Sequence, residues 1–196
     1  MTNYDENVIE IPNFISLNHQ NTLENYVCNN NFKWSYYEGT ILKTDIQYTN
    51  SCIIEKGLNP PQFSHFVNIN HNSNIIFVRP ILDSLATFFN KNLQIMKCKF
   101  NLITQRKDSL HHYPHSDLDN FEGNVYTALY YVNDSDGETY LFNEFAPKID
   151  DNISIHKKVI PEKGKILIFD SRRFHASSSP QDNEVRLVLN IVFGVV

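Results

Sequence analysis

The stretch that decides the fold comprises residues 163–178, which read KGKILIFDSRRFHASS. The turn sequence Pro161-Glu162-Lys163-Gly164 leads into an apolar run, Ile166-Leu167-Ile168-Phe169, a pattern typical of a buried strand. Polar residues then interrupt the run before the mixed segment Phe174-His175-Ala176. We therefore expect two short consecutive strands here, at 164–170 and 173–178.

Short strands of this kind recur through the second half of the chain. Asp134-Ser135-Asp136-Gly137 is a strong turn signal between two of them. Eight successive short strands preceded by helices predict a jelly roll, a mainly β fold with flanking N-terminal helices (α+β). The expected strands lie at 96–105, 112–116, 124–133, 138–143, 153–160, 164–170, 173–178 and 185–195.

Two helices are expected before the strands. Ser16 suits the N-cap of a helix in which Leu23, Tyr26 and Val27 recur at helical spacing. A second helix is expected from about Pro80 to residue 90, with the proline in its first turn. We accordingly expect one domain, 1–196, with a helical and irregular support layer over 1–94 and a jelly-roll core over 95–196.

Composition and charge narrow the function classes. The chain has 196 residues, of which 41% are hydrophobic, and this predicts one globular domain. Its net charge of −5 argues against a nucleic-acid partner. The three scattered cysteines suit a reducing compartment. The acidic N-terminal segment lacks a signal-peptide pattern and no run of eighteen apolar residues occurs, so we expect a cytoplasmic protein without a membrane partner.

His115, Asp117 and His175 form the candidate metal site. Residues two apart on a strand point to the same face, so His115 and Asp117 could reach one ion together, with His175 arriving from a later strand. Two imidazoles and one carboxylate suit Fe(II) or Mn(II), and they can occupy one face of an octahedral ion and leave three positions open. A His-x-Asp pair also arises by chance, and a polar surface strand is the alternative for that pair alone.

Arg186 is the candidate anion-binding residue. It lies on a predicted last strand whose two faces are both largely apolar, so it should be buried. A buried arginine is costly unless it meets an anion, and its planar fork suits bidentate capture of a carboxylate. An internal salt bridge is the alternative. Tyr131 could share that carboxylate, or it could be a core aromatic residue.

Together these residues resemble the signature of the Fe(II)/2-oxoglutarate-dependent dioxygenases. The stretch Leu129-Tyr130-Tyr131-Val132-Asn133 is similar to the Tyr-Tyr-Leu-Asn stretch of the prolyl 4-hydroxylase branch, and residues 170–175 resemble the segment that carries its distal histidine. The similarity covers roughly residues 95–196 and extends to short oxygenases of bacteriophages and marine bacteria. It implies a cupin-like, double-stranded β-helix form of the jelly roll, and a location in the host cytoplasm if the source is viral.

The resemblance also implies a reaction and a set of site residues. The reaction is hydroxylation of a substrate C–H bond, on a peptidyl proline or a similar side chain, with O2 consumed and succinate and CO2 released. The substrate would be a peptide, a protein or a small molecule. The implied iron ligands are His115, Asp117 and His175, and the residues implied to bind 2-oxoglutarate are Arg186, Tyr131 and Asn190.

Two other functions stay open on these residues. Nucleic-acid demethylases of the same superfamily usually carry another arginine six residues after the carboxylate-binding one, where this chain has Val192. A non-catalytic barrel that binds a metal or 2-oxoglutarate would keep the same residues. The sequence identifies neither the substrate nor the oligomeric state.

Overall fold

A computed structural model describes residues 8–41, 57–69, 72–107, 110–118, 123–147 and 153–196. Helix α1 spans Leu17–Val27 and helix α2 spans Asn72–Phe89. The strands are β1 (Ile9–Ile11), β2 (Ser35–Tyr37), β3 (Gln62–Phe66), β4 (Leu93–Thr104), β5 (Val125–Tyr131), β6 (Thr139–Phe145), β7 (Ile155–Val159), β8 (Ile166–Asp170), β9 (Arg173–Ser177) and β10 (Val185–Val195).

These strands form two antiparallel sheets that pack face to face. The larger has the order β1-β8-β5-β10-β4-β3-β2, and the smaller has the order β7-β6-β9. Between them lies an apolar cluster that includes Leu129, Leu167 and Val188 from the larger sheet and Leu141 from the smaller one. Strands close in space are therefore distant in the chain, which is the jelly-roll arrangement that the sequence predicts.

The helices cover the outer face of the larger sheet. Leu23 of α1 and Leu85 of α2 belong to the same buried cluster as Leu189 and Phe193 of β10. Burial of four such side chains stabilises the contact by roughly 1.5–3 kcal/mol each. Ser16 caps α1 as expected, because its side chain accepts a hydrogen bond from the backbone N–H of His19 at 3.4 Å.

Strand β10 is buried on both faces, as the largely apolar residues on each of its faces predict. Leu187 and Leu189 point to the helices, whereas Val188 points into the space between the sheets. Arg186 and Asn190 alternate with the leucines, so they share the inner face with Val188. This strand therefore carries polar side chains into the interior at two positions.

Two sequence predictions about elements are wrong. Helix α2 begins at Asn72, so Pro80 lies inside it instead of in its first turn. Ile75 and Val78 already pack into the core before Pro80, and this burial outweighs the one hydrogen bond that proline cannot donate. The strand expected at 112–116 is only a set of isolated bridges, because Pro114 lacks the N–H that a strand's ladder needs.

The other predicted strands each overlap an observed strand. Strands β1 and β3 come from the half expected to be helical and irregular, and the division of the domain at residue 95 stays a prediction. Cys28 is an exposed thiol and Cys98 a buried one, whereas Cys52 lies outside the described residues. Within the described ranges, neither helix is long and apolar enough to cross a membrane.

Candidate active site

The three candidate metal ligands meet at one end of the space between the sheets. Backbone hydrogen bonds join His115 and His175 in both directions, at 2.9 and 2.8 Å. The backbone N–H of Asp117 donates to the carbonyl of Ser171 at 3.0 Å, in the turn between β8 and β9. The segment that carries His115 is thus held along β9, and one ligand atom from each residue lies within 4.8 Å of the other two.

Each histidine is oriented by a backbone carbonyl. Nδ1 of His115 lies 3.3 Å from the carbonyl oxygen of Tyr113, and Nδ1 of His175 lies 3.1 Å from that of Arg173. When Nδ1 donates to these oxygens, Nε2 is the unprotonated nitrogen and is free to bind a cation. Nε2 of His175 lies 3.6 Å from Oδ2 of Asp117.

The chemistry of these donors fits a transition metal. Ligands about 2.1 Å from an octahedral ion and at right angles to one another are about 3 Å apart, so small side-chain rotations would complete the site. Burial and the neighbouring His175 lower the pKa of His115 to about 3, and burial also lowers the pKa of His175. Both imidazoles are therefore neutral at physiological pH, which is the state that binds metals.

Asp117 is held by three side chains. Thr127 donates to its Oδ2 at 2.8 Å, Asn190 donates to the same oxygen at 3.3 Å, and the ammonium of Lys97 forms an ion pair with Oδ1. Burial would raise the pKa of the Asp117 carboxyl, but the charge of Lys97 and the two histidines hold it well below its usual range. The carboxylate is therefore ionised, as a metal ligand must be.

One buried acceptor in this region has no partner. Oδ1 of Asn190 makes no hydrogen bond with any residue that the structure describes, although the side chain lies against Asp117. A buried carbonyl oxygen without a donor costs roughly 1–3 kcal/mol. An orphaned acceptor beside three convergent ligands is consistent with a site built for an additional polar group.

Arg186 lies on the same inner face, two positions before Val188. It is 4% exposed, and its guanidinium donates to the carbonyl of Gly137 at 2.8 Å and to the hydroxyl of Thr139 at 2.7 Å. Within the described ranges it forms no ion pair. Burial lowers the pKa of Arg186, but a guanidinium remains charged at neutral pH. Three of its five N–H groups are left for an anion.

A single cavity of about 660 Å³ connects these groups. Ligand pockets typically enclose about 300–1,000 Å³, so the volume is sufficient for a small cosubstrate together with part of a substrate. His115, Asp117, His175, Arg186 and Asn190 all line it. The cavity thus brings five of the six predicted site residues together.

Tyr131 lies one layer behind the cavity. It is fully buried, and its hydroxyl donates a hydrogen bond to the hydroxyl of Thr139 at 2.8 Å. The Thr139 hydroxyl also accepts a hydrogen bond from Arg186. Thr139 lines the cavity, and Tyr131 is not part of the described lining. Its contact with a cosubstrate stays a prediction, and in this arrangement it supports Arg186 through Thr139.

Among the polar residues around the site that sequence reasoning missed, four are Thr127, Lys97, Lys99 and Thr139. Thr127 alternates with Leu129 and Tyr131 on β5, and this spacing places it on the inner face. Lys97 and Lys99 alternate with the buried Cys98 on β4, a pattern that also predicts one shared face. These patterns are visible in the sequence, but they indicate residues of the site only when the pairing of β4 with β10 is known. The fourth residue, Thr139, carries no distinctive pattern.

Comparisons with known proteins identify the fold. A scan against protein-family models gave no match, and a search of curated proteins found no significant match. Among solved structures, the α-ketoglutarate-dependent epimerase SnoN from nogalamycin biosynthesis is similar, with a TM-score of 0.64 and 13% identity over 95% of this chain and 76% of that one.

Two further structures extend the comparison. A prolyl-4-hydroxylase from Pseudomonas putida matches with a TM-score of 0.56 and 13% identity, over 96% of this chain and 92% of that one. HygX from Streptomyces hygroscopicus, solved with nickel, 2-oxoglutarate and hygromycin B, matches with a TM-score of 0.62 and 11% identity, over 96% of this chain and 83% of that one. The chain therefore has the double-stranded β-helix fold of the 2-oxoglutarate- and Fe(II)-dependent oxygenases, as the resemblance implied.

Proposed function

We propose that this chain is an Fe(II)- and 2-oxoglutarate-dependent dioxygenase that hydroxylates a C–H bond of its substrate. One observation carries the proposal. The two imidazoles and the carboxylate converge at one position of a cavity, and the buried guanidinium of Arg186 lines the same cavity without a described acidic partner. Three metal-binding donors and a carboxylate-binding guanidinium in one cavity fit a cosubstrate that binds metal at one end and presents a carboxylate at the other.

Each residue has a defined task in this proposal. His115, Asp117 and His175 would hold Fe(II), which together with 2-oxoglutarate and O2 supplies the oxidising chemistry and yields succinate and CO2. Arg186 would bind the distal carboxylate of 2-oxoglutarate, and this contact fixes the orientation of the cosubstrate relative to the ligands. The apolar side chains of Leu129 and Val188 in the cavity wall exclude water from the same region.

The proposed substrate is a peptidyl proline or a side chain of similar size. The fold shared with the Pseudomonas putida prolyl-4-hydroxylase supports a proline-containing substrate, and the hygromycin B bound to HygX supports a small molecule as the alternative. A nucleic acid is disfavoured because Val192, where demethylases carry a second arginine, is 2% exposed and apolar. A cytoplasmic location belongs to the same proposal.

Metal and cosubstrate binding provide the first test. Anaerobic addition of Fe(II) and 2-oxoglutarate to the purified protein should produce the visible absorption band of a metal-bound 2-oxo acid. Exposure to O2 should then release succinate. In His175→Ala both signals should be lost, because that variant removes one of three ligands. The matched control His156→Ala alters an exposed histidine on β7 and should retain both.

The outcomes separate the competing functions. A protein that binds Fe(II) and 2-oxoglutarate but releases no succinate with any candidate peptide or small molecule is a binding module. A protein that shows no absorption band, or whose band survives in His175→Ala, does not have the metal centre proposed here.

A further inference from the structure

Strand β4 contributes two lysines to the cavity, and neither is required for the iron and 2-oxoglutarate chemistry. Lys97, Lys99 and Asn101 alternate along the strand, and all three line the cavity. Lys97 is already engaged, because it forms an ion pair with Asp117. Within the described ranges Lys99 forms no ion pair, although it is half-buried. A partly buried ammonium without a counterion is unusual unless it serves a ligand.

The charge of the cavity points to an anion beyond the cosubstrate. Its described lining carries three basic side chains, Lys97, Lys99 and Arg186, against one carboxylate, Asp117. A divalent metal ion and a doubly charged 2-oxoglutarate cancel each other, so the loaded site keeps the positive excess of its side chains. Such a cavity attracts a negatively charged molecule and disfavours a cationic one.

The strand register separates Lys99 from the region that Arg186 serves. Lys99 pairs with Asn190 across β4 and β10, at the level of the metal ligand Asp117, whereas Arg186 pairs with Ile103. Four residues of a strand span about 13 Å. The two cations therefore lie at different ends of the cavity, and one end is left for a second anionic molecule.

The position of Lys99 also fits a substrate that arrives from solvent. Its ammonium lies 5.7 Å from the ring centroid of Phe66, which lines the cavity and is 57% exposed. This part of the cavity is therefore its mouth. Burial and the charge of Lys97 lower the pKa of Lys99 to about 8, against the opposing effect of Asp117, and a bound anion would favour the charged form.

We propose that Lys99 binds a carboxylate of the substrate, so that the molecule oxidised here is an acid. The inference rests on the proposed function and adds the class of substrate to it. It predicts that a proline substrate is recognised as a free or C-terminal proline, through its own carboxylate, or through an acidic residue beside it.

Matched acid and amide ligands test this proposal. Binding of N-acetyl-proline and N-acetyl-prolinamide would be measured by calorimetry in protein loaded with Mn(II) and an unreactive 2-oxoglutarate analogue. A second pair, the blocked dipeptides Asp-Pro and Asn-Pro, distinguishes a side-chain carboxylate from a terminal one. In at least one pair the wild-type protein should bind the acid at least about tenfold more tightly, as expected for a charge-assisted hydrogen bond.

Variants assign the preference to one side chain. Lys99→Met keeps the length of the side chain and should abolish the acid preference, whereas Lys99→Arg should keep most of it. Lys91→Met, at an exposed position after α2, is the matched control and should behave as wild type. Thermal melting of each variant checks that a lost preference is not a lost fold.

The experimental results that would contradict this proposal differ from those that would contradict the proposed function. If no acid binds more tightly than its amide, or if the preference persists in a folded Lys99→Met, Lys99 does not bind a substrate carboxylate. Weakened binding of 2-oxoglutarate in Lys99→Met without any effect on the acid preference would assign the lysine to the cosubstrate and would also overturn the proposal. Failure of Mn(II) and 2-oxoglutarate to bind at all would instead refute the proposed function, and this inference with it.

Discussion

Replacement of Arg186 by methionine should cripple 2-oxoglutarate binding while leaving the metal site intact. The guanidinium is 4% exposed, and two of its N–H groups are committed to Gly137 and Thr139, so the remaining three are available to a carboxylate. Loss of one partner of a buried, hydrogen-bonded charge pair costs about 2–5 kcal/mol. The dissociation constant of 2-oxoglutarate should therefore rise roughly 30- to 5,000-fold.

The assay is an anaerobic titration of 2-oxoglutarate into the Fe(II)-loaded protein, followed by visible absorption. Arg186→Lys is the informative companion because it keeps the charge but loses the planar fork, and it should lie between wild type and Arg186→Met. The Arg186→Met change also removes the side-chain donor to the carbonyl of Gly137, at about 1–3 kcal/mol, whereas Thr139 still accepts from Tyr131. Removal of a buried charge offsets part of that cost.

Fe(II) affinity and the melting temperature are measured on the same samples. A folded Arg186→Met whose 2-oxoglutarate affinity changes by less than about threefold would refute the role of this residue as the carboxylate receptor. Parallel loss of Fe(II) and 2-oxoglutarate binding would show instead that Arg186 only maintains the structure of the site.

Three further predictions address the surroundings of the site and the core. Thr127→Val removes the hydroxyl that orients the carboxylate of Asp117. Competition with a chelator should therefore show about 10- to 100-fold weaker metal binding. Unchanged metal affinity would argue against that orienting role. Tyr131→Phe should lower the free energy of unfolding by about 1 kcal/mol, because the hydroxyl donates to Thr139. The 2-oxoglutarate dissociation constant should rise less than tenfold. A loss of 2-oxoglutarate affinity as large as that in Arg186→Met would show direct contact of Tyr131 with the cosubstrate. Leu189→Ala should lower the free energy of unfolding, measured in urea, by about 2–5 kcal/mol, since this side chain is fully buried under the helices. Leu17→Ala, at a position that is 66% exposed, is its control, and equal effects of the two would contradict the assigned core.

Local patterns were sufficient to predict most strands of the barrel. The apolar run at 166–169 and the doubly apolar alternation at 185–195 became β8 and β10, because strand periodicity and turn residues act over a few neighbouring positions. The N-cap at Ser16 is likewise a contact between near neighbours. Pro80 misled the prediction of α2 because packing on the sheet, which the local pattern does not contain, decided where that helix begins.

The site was predictable in its chemistry and less so in its construction. His115 and Asp117 were expected to share the face of a strand, yet the segment between Leu110 and Leu118 forms only isolated bridges. Its position is set by backbone hydrogen bonds to His175 and Ser171, which lie more than fifty residues further along the chain. Contacts at such separation depend on the pairing of whole strands, and no local pattern specifies that pairing.

By itself, the sequence determined which donors are available, namely two imidazoles, one carboxylate and a guanidinium on an apolar strand, because residue chemistry and strand periodicity are local properties. Only the tertiary structure decided that these groups line one cavity, that Tyr131 stands behind Thr139, and that Lys99 reaches the same space. The physical reason is the register between β4 and β10, which is set by packing of the two sheets and the helices and which determines the side chains that become neighbours.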